Sequence, residues 1–308
     1  MNLNSFIEHA QSGTLPQEGI LEDATGKQIN FDSLDLSGWS FFNCTFDQCT
    51  FENCQLPGSQ WSQCQLLNCV FKNSLFNDSL FIETTLKHCQ SEQNQWDATE
   101  WMNGTIEEFS CTEDSFKSAN FSQMATRKWQ SYSSDFSDTT SMECLFEQCS
   151  HQNLEAPRSS WLDCQMPELN CVKANLDNAR FLAGSQLTSA AFDQAYLANA
   201  SFAEANLTQA SLNEAELSNA NFSGANLQKA RLNRINGERT VWVRANCAEA
   251  DFYGSQLIYS LWLEADLRKA DFEACNLYSA DFYLATFGET HLKKSNLEQT
   301  QIEEWQPS

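Results

Sequence analysis

The sequence predicts an all-β fold, a four-sided solenoid of about 14 coils behind a short N-terminal cap. Three observations predict it. A large apolar residue returns at every fifth position from Phe31 to Phe181, and again from Leu187 to Ile302 after one inserted residue. Of the 55 positions on this comb, 45 hold Leu, Phe, Ile, Trp or Met, types that make up only about a quarter of the chain. Two residues before each comb position sits a small one: Cys44, Cys49, Cys54, Ser59, Cys64 and Cys69 early, and Ala190 to Ala230 in steps of five later. A step of 20 then collects aromatics: Phe41, Trp61, Phe81, Trp101, Phe121, Ser141, Trp161 and Phe181, and past the insertion Phe202, Phe222, Trp242, Trp262, Phe282 and Ile302.

Five matches neither the helical period of 3.6 nor the strand period of 2. The small position settles the geometry. In an extended segment, residues two apart face the same side. The small and the large residue therefore both point inward, the residue between them points out, and the last two turn a corner. Repeated corners wind the chain into a coil too narrow for two large side chains per unit. Side chains stacked between coils should resemble one another, so the step of 20 means four units per coil. At strand spacing the coils make a rod about 65 Å long.

Residues 1–30 precede the comb, and Asn2 to Ala10 reads as a short amphipathic helix or turn that caps the first coil. Residues 31–181 form the first solenoid stretch. Its comb fails around 91–156, where Ser91, Cys111, Ser131 and His151 follow Phe31, Phe51 and Phe71 in one column. Asn94, Asp114 and Trp129 occupy small positions there. These coils are either degenerate or distorted around an outward loop, between Met124 and Ser134 or near Gln152 to Arg158. A loop of that kind is a candidate partner contact, through Arg127, Lys128, Trp129, His151 and Arg158. The inserted residue lies in Leu182–Gln186, where Gly184 suits a bulge or bend.

Residues 187–302 are regular, except that Gly237 falls on the comb and predicts a surface bulge. A basic cluster, Lys229, Arg231, Arg234, Arg239 and Arg244, interrupts the acidic surface, with Arg234 and Arg239 as further contact candidates. The tail, 303–308, is too short to cover the last coil well, although its acidic residues and Pro307 offer an alternative cap. An open coil end is a strand edge seeking a partner. The expectation is a homodimer through the C-terminal coils, with Phe287, Leu292, Leu297, Ile302 and Trp305 at the contact.

The segments Ala205-Asn206-Leu207, Ala225-Asn226-Leu227, Ala265-Asp266-Leu267 and Ala280-Asp281-Phe282 match units of the form A-[DN]-[LF]-x-x. The chain thereby resembles the pentapeptide-repeat family over about nine tenths of its length. The resemblance implies a right-handed quadrilateral β-helix. It implies little about activity, because the family hosts many unrelated roles.

Composition narrows the function. The net charge is −23, with 21 acidic and 6 basic groups in the first 150 residues and 20 and 12 in the remainder. With the inward positions apolar, these carboxylates coat the outside and repel phosphates, so direct nucleic-acid binding is not expected. No segment approaches the roughly 20 apolar residues of a membrane span, and no basic start precedes an apolar run. Ten of the 13 cysteines occupy the small position and Cys111, Cys171 and Cys247 lie on the comb. Their count is odd, and no C-x-x-C pair occurs. They read as core thiols of a reducing, cytoplasmic protein, with signal-peptide-independent export left open. No phosphate loop, nucleophile elbow or H-E-x-x-H is present, and His9, His88, His151 and His291 are scattered. No cofactor or metal is expected.

These features favour a non-enzymatic scaffold that binds protein partners through an acidic surface, as a structural adaptor or a secretion-associated effector. The alternative comes from resemblance to quinolone-resistance-type members, carried by the Phe- and Cys-rich run Phe46 to Cys54 and by a single-residue hinge. It implies a DNA mimic that binds a type II topoisomerase, DNA gyrase, and modulates quinolone sensitivity.

Overall fold

The computed structural model describes residues 3–17 and 19–302. The chain divides into two compact units, Met1–Ser150 and His151–Ser308, and each is a parallel four-sided β-solenoid.

In the first unit three faces are built from three-residue strands. Ile20–Glu22 pairs in parallel with Ser40–Phe42, which pairs with Gln60–Ser62, and the ladder climbs in steps of 20 to Thr140–Met142. The next face runs from Thr25–Lys27 to Leu145–Glu147 as a seven-stranded sheet. The third climbs from Asn30–Asp32 to Gln130–Tyr132. The fourth face is held by single bridges such as Asp35 to Gln55 and Gln55 to Leu75. In strands such as Ser40–Phe42 and Thr45–Asp47 the central residue is buried and its neighbours face out, as the alternation predicts.

The class is the one expected, but the coil count shifts. The ladder starts at Ile20, one rung before the comb, inside the segment assigned to the cap. Gly26 occupies a comb position there and hid the rung; the Ile29 side chain fills the space, 2.8 Å from where a Cβ on Gly26 would stand. The helix Leu3–Ser12 precedes this rung. Its Phe6 is buried against Phe31 and Trp39, with ring centroids 6.0 and 5.1 Å away, so it plugs the open interior of the first coil.

In the second unit Ser160–Leu162 and Arg180–Leu182 are still strands, and beyond them the ladder shortens to single bridges with β-turns at most corners. Ala190 N donates to Leu187 O (3.0 Å) and Ala195 N to Phe192 O (3.0 Å), and so on along the unit. In both units the residue two after each comb position has a left-handed backbone, as at Asn43 (φ 50°), Gln48 (57°) and Ser189 (59°). None of these positive-φ positions holds Val, Ile, Thr or Pro. A branched Cβ is disfavoured in that region, and the corners are written mostly in Asn, Gln, Glu, Lys, Ser and Gly.

The aromatic column forms as predicted within each unit. Phe41 stacks on Trp61 at 4.0 Å and Phe81 on Trp101 at 3.9 Å. In the second unit Phe181, Phe202, Phe222, Trp242 and Trp262 follow at 4.3–5.0 Å. Offset and parallel rings at this spacing add to the burial of their area.

Ser91, Ser141 and Cys247 follow small residues, Cys89, Thr139 and Ala245, but six other failures of the comb are exchanges of size. There a large residue stands two before the small one: Phe109 with Cys111, Met124 with Thr126, Trp129 with Ser131, Leu154 with Ala156, Leu169 with Cys171 and Ile235 with Gly237. All twelve are buried. In these six pairs one large and one small side chain are kept while their order along the chain is reversed. No outward loop separates Met124 from Ser134: Ala125–Arg127 and Gln130–Tyr132 are strands in register with Thr105–Glu107 and Ser110–Thr112. Gln152 to Arg158 likewise stays on the coil, with Ala156 N bonded to Asn175 O (2.8 Å) and Arg158 N to Asp177 O (2.8 Å). Gly237 makes no bulge either, since its N donates to Gln256 O at 2.7 Å and Ile235 supplies the missing side chain. The extra residue at 182–186 is absorbed in a corner where both Ala183 (φ 56°) and Gly184 (φ 76°) are left-handed, after which Ser185 resumes the small inward position.

Candidate interaction surfaces

The corners carry side chains at fixed 20-residue spacing, and these pair up the solenoid. Gln63 Nε2 donates to Glu83 Oε2 (2.9 Å), Gln93 Nε2 to Glu113 Oε2 (2.8 Å) and Gln123 Nε2 to Glu143 Oε2 (2.9 Å). Lys128 Nζ lies 2.8 Å from Glu108 Oε1, and His88 Nε2 3.3 Å from Glu108 Oε2. Lys128 thereby holds the Glu108 carboxyl below its ordinary range. Each pair is exposed and contributes little to stability. Their role is to fix a grid of charges.

The predicted contact residues do not converge. Trp129 is core, 1 % exposed, with its ring 5.6 Å from Phe116 and 5.7 Å from Phe121. His151 is also buried, and burial pushes its imidazole down to about 4, so it is neutral near pH 7. Both were expected on loops; they face inward because Trp129 fills a small position and His151 stands on the comb. Arg127, Lys128 and Arg158 are corner or strand-edge residues. Lys229, Arg234, Arg239 and Arg244 occupy four successive corners, so they ring one turn instead of forming a patch. Each has an acidic neighbour: Glu249 at 3.8 Å, Glu214 at 4.0 Å, Glu238, and Glu264 at 2.8 Å respectively.

Near the C-terminus Phe287, Leu297 and Ile302 are half-buried and Leu292 is 9 % exposed, while Trp305 lies outside the described residues. Gln301 lends its side chain to the turn below: Phe282 N donates to Gln301 Oε1 at 3.1 Å, where other comb amides find a backbone carbonyl.

Sequence reasoning missed a polar spine inside the first unit. Cys54 N donates to Ser74 Oγ (3.0 Å), Ser74 N to Asn94 Oδ1 (2.8 Å) and Asn94 N to Asp114 Oδ1 (2.7 Å). Asp114 is 2 % exposed, and its Oδ2 has no hydrogen bond. Burial raises this carboxyl to about 6, against the pull of Ser91 and Asn94 in the other direction. The signal was present in the run Ser74, Asn94, Asp114, Ser134, spaced by 20.

All 13 cysteines are buried thiols that form no disulfide. Burial pushes the Cys54 thiol up to about 11 and the Cys275 thiol up to about 12, far from the thiolate that nucleophilic chemistry needs. Among the described residues no group of three or more His, Cys, Asp or Glu is placed to hold a metal ion, and no helix is long and apolar enough to cross a membrane. The outer grooves are shallow; one of about 320 Å³ lies over Phe71 and Ser91.

Comparison with known proteins agrees with this architecture. The family model described as a pentapeptide repeat region matches residues 44–121, and that described as pentapeptide repeats (8 copies) matches 182–215, 200–236 and 245–282. No curated protein matches the sequence. Among solved structures, the chain is similar to HetL, a pentapeptide repeat protein involved in heterocyst differentiation regulation from the cyanobacterium Nostoc sp. strain PCC 7120, at 16% identity over 100% of both chains with a TM-score of 0.19. It is similar to Rfr23 from the cyanobacterium Cyanothece 51142 at 30% identity, over 30% of this chain and 61% of that one, with a TM-score of 0.19. It is also similar to QnrB1, a plasmid-mediated fluoroquinolone resistance protein, at 16% identity over 72% of this chain and 92% of that one, with a TM-score of 0.23. With more than half of its residues matched by the repeat models, and with coils of four five-residue units, the chain belongs to the pentapeptide-repeat family.

Proposed function

We propose that this protein is a structural adaptor that binds a basic protein surface through the first unit. The observation that supports it is the charge of that unit, 21 acidic against 6 basic groups, on side chains whose backbone positions repeat rung by rung. A pre-ordered array of carboxylates loses little entropy on binding and steers an oppositely charged partner. The test is binding of the proteins encoded beside its gene, measured by pull-down and anisotropy across a salt series. Binding that weakens with salt, and fails in a Glu83→Gln, Glu113→Gln, Glu143→Gln variant, supports the adaptor. Binding indifferent to both sinks it.

The same carboxylates favour a second reading, in which the first unit takes the place of duplex DNA on a type II topoisomerase. Supercoiling by purified DNA gyrase, with and without a fluoroquinolone, separates the two. Salt-sensitive inhibition or drug protection favours mimicry, and no effect leaves the adaptor.

A further inference from the structure

Exposed tyrosines stand on other faces of the second unit, at Tyr196, Tyr253 and Tyr259, but an aliphatic outward block is built over two successive rungs of one face. On the face that carries the aromatic column, the outward positions of the lower rungs are Ser201, Asn221 and Ser223. The next two rungs instead carry Val241 with Val243, and Leu261 with Leu263. Val241 bridges both Asn221 and Leu261, and Arg244 N donates to Leu263 O, so the four side chains form one block. Leu261 is 39% exposed with Asp281 on the rung above it, and Tyr283, above Leu263, is 60% exposed. Solvent gains nothing from this block, and the interior does not use it; each rung already has its own inward Trp242 or Trp262.

We propose that this face binds a second copy of the chain, in an antiparallel pair whose two-fold axis runs along the strands between the Val241 and Leu261 rungs. The argument is complementarity. That axis sets Val241 opposite Leu261 of the second copy and Val243 opposite its Leu263. It sets Arg244 opposite Glu264, an attraction that each chain already shows internally at 2.8 Å. It sets Arg239 opposite Tyr259, repeating across the interface the cation–π contact seen within the chain at 5.4 Å. One rung further out, Ser223 and Gly224 leave room for Tyr283 and Leu284. A two-fold contact must be complementary to itself, and here the large residues meet small ones and the cations meet anions or rings.

Charge permits the approach at this place. The chain as a whole holds 41 acidic and 18 basic residues, so two copies repel at most orientations. Between 229 and 269 the count is seven basic to five acidic. Tyr and Arg around an aliphatic centre is also the composition of protein interfaces. The contact is lateral, through a sheet face, and does not involve the coil end at Phe287 and Ile302.

The test is sedimentation of the full chain from about 1 to 100 µM, the range a modest interface spans. The expected result is a concentration-dependent dimer. Leu263→Glu should return it to monomer, and Arg244→Glu and Glu264→Arg should each weaken it about tenfold while the double variant regains most of the loss. Should Leu263→Glu fail to fold, as far-UV circular dichroism would show, a Ser223→Cys, Tyr283→Cys chain carries the question. Oxidation should link it between chains, because within one chain the two positions are three rungs apart. A monomer throughout overturns the proposal. So does a dimer that survives Leu263→Glu but is lost in Phe287→Glu, which would place the contact at the coil end.

Discussion

Trp262 Nε1 donates to Ser260 Oγ at 2.7 Å, from the comb to the small position two residues earlier. The pairing recurs at Trp61 with Ser59 (2.9 Å), Trp101 with Thr99 (3.0 Å) and Trp242 with Thr240 (2.8 Å). Where the column holds Phe202 or Phe222, the same position is Ala200 or Ala220. A buried indole N–H needs an acceptor, and the chain provides one at each of these four tryptophans.

Removing that acceptor should be expensive. Ser260→Ala leaves the Trp262 N–H buried without a partner and should destabilise the second unit by about 1–3 kcal/mol. Ser260→Ala with Trp262→Phe recreates the Ala–Phe pair found two rungs below, so the double variant should cost clearly less than the sum of the singles. Urea denaturation of the four chains of the cycle measures the coupling.

The Asp114 carboxyl should make the first unit less stable at neutral pH than in mild acid. Its folded value of about 6 lies above the ordinary value of 3.8. Its contribution is fully present below about pH 4 and is lost as pH rises through 6, a change on the order of 3 kcal/mol. Asp114→Asn should keep the bond from Asn94 N and abolish that dependence. Melting temperatures of the two proteins should converge at pH 4 and separate, with the variant higher, at pH 7.5.

His151 should act in the opposite sense on the second unit. Burial lowers its imidazole from 6.5 to about 4. Its contribution is present above pH 6.5 and lost as pH falls toward 4, again on the order of 3 kcal/mol. His151→Leu should remove this acid-sensitive branch, read as urea midpoints between pH 7.5 and 4.5.

The exchange of Phe109 and Cys111 gives a direct test of volume. Phe109→Cys alone empties the coil and should cost about 3–5 kcal/mol. Phe109→Cys with Cys111→Phe restores the regular order of small then large, and should recover most of that loss. A double variant no better than the single would show that the exchanged coils depend on the position of the ring and not on its volume.

Much of this structure was readable from the chain. The inward pair, the corner and the step of 20 follow from Phe41, Cys44, Phe46 and their successors, because a narrow coil tolerates one arrangement of large and small. The reading failed where it counted one position at a time. Trp129 and His151 became loop candidates because Ser131 and Ser91 looked like missing walls, although Trp129 itself is the wall. The rung at Ile20 was lost for the same reason, with Gly26 on the comb and Ile29 beside it. The Asp114 spine was hidden because a carboxylate in a small position reads as a defect until the amide of Asn94 is seen to bond it. The contact surfaces were least legible. Whether Arg234 and Arg239 share a face depends on how many residues a turn consumes, and one turn carries them to different corners.

In every five residues two face inward and three face out, and no side chain has to serve both sides. The inward pair holds the coil; the outward three carry whatever the surface recognises. Mutations in the second set can accumulate without a toll on the first, provided that the corner avoids a branched Cβ. A lineage of such chains can therefore change what it binds while keeping its coil, and drift in its exterior is a record of past partners instead of a loss of structure.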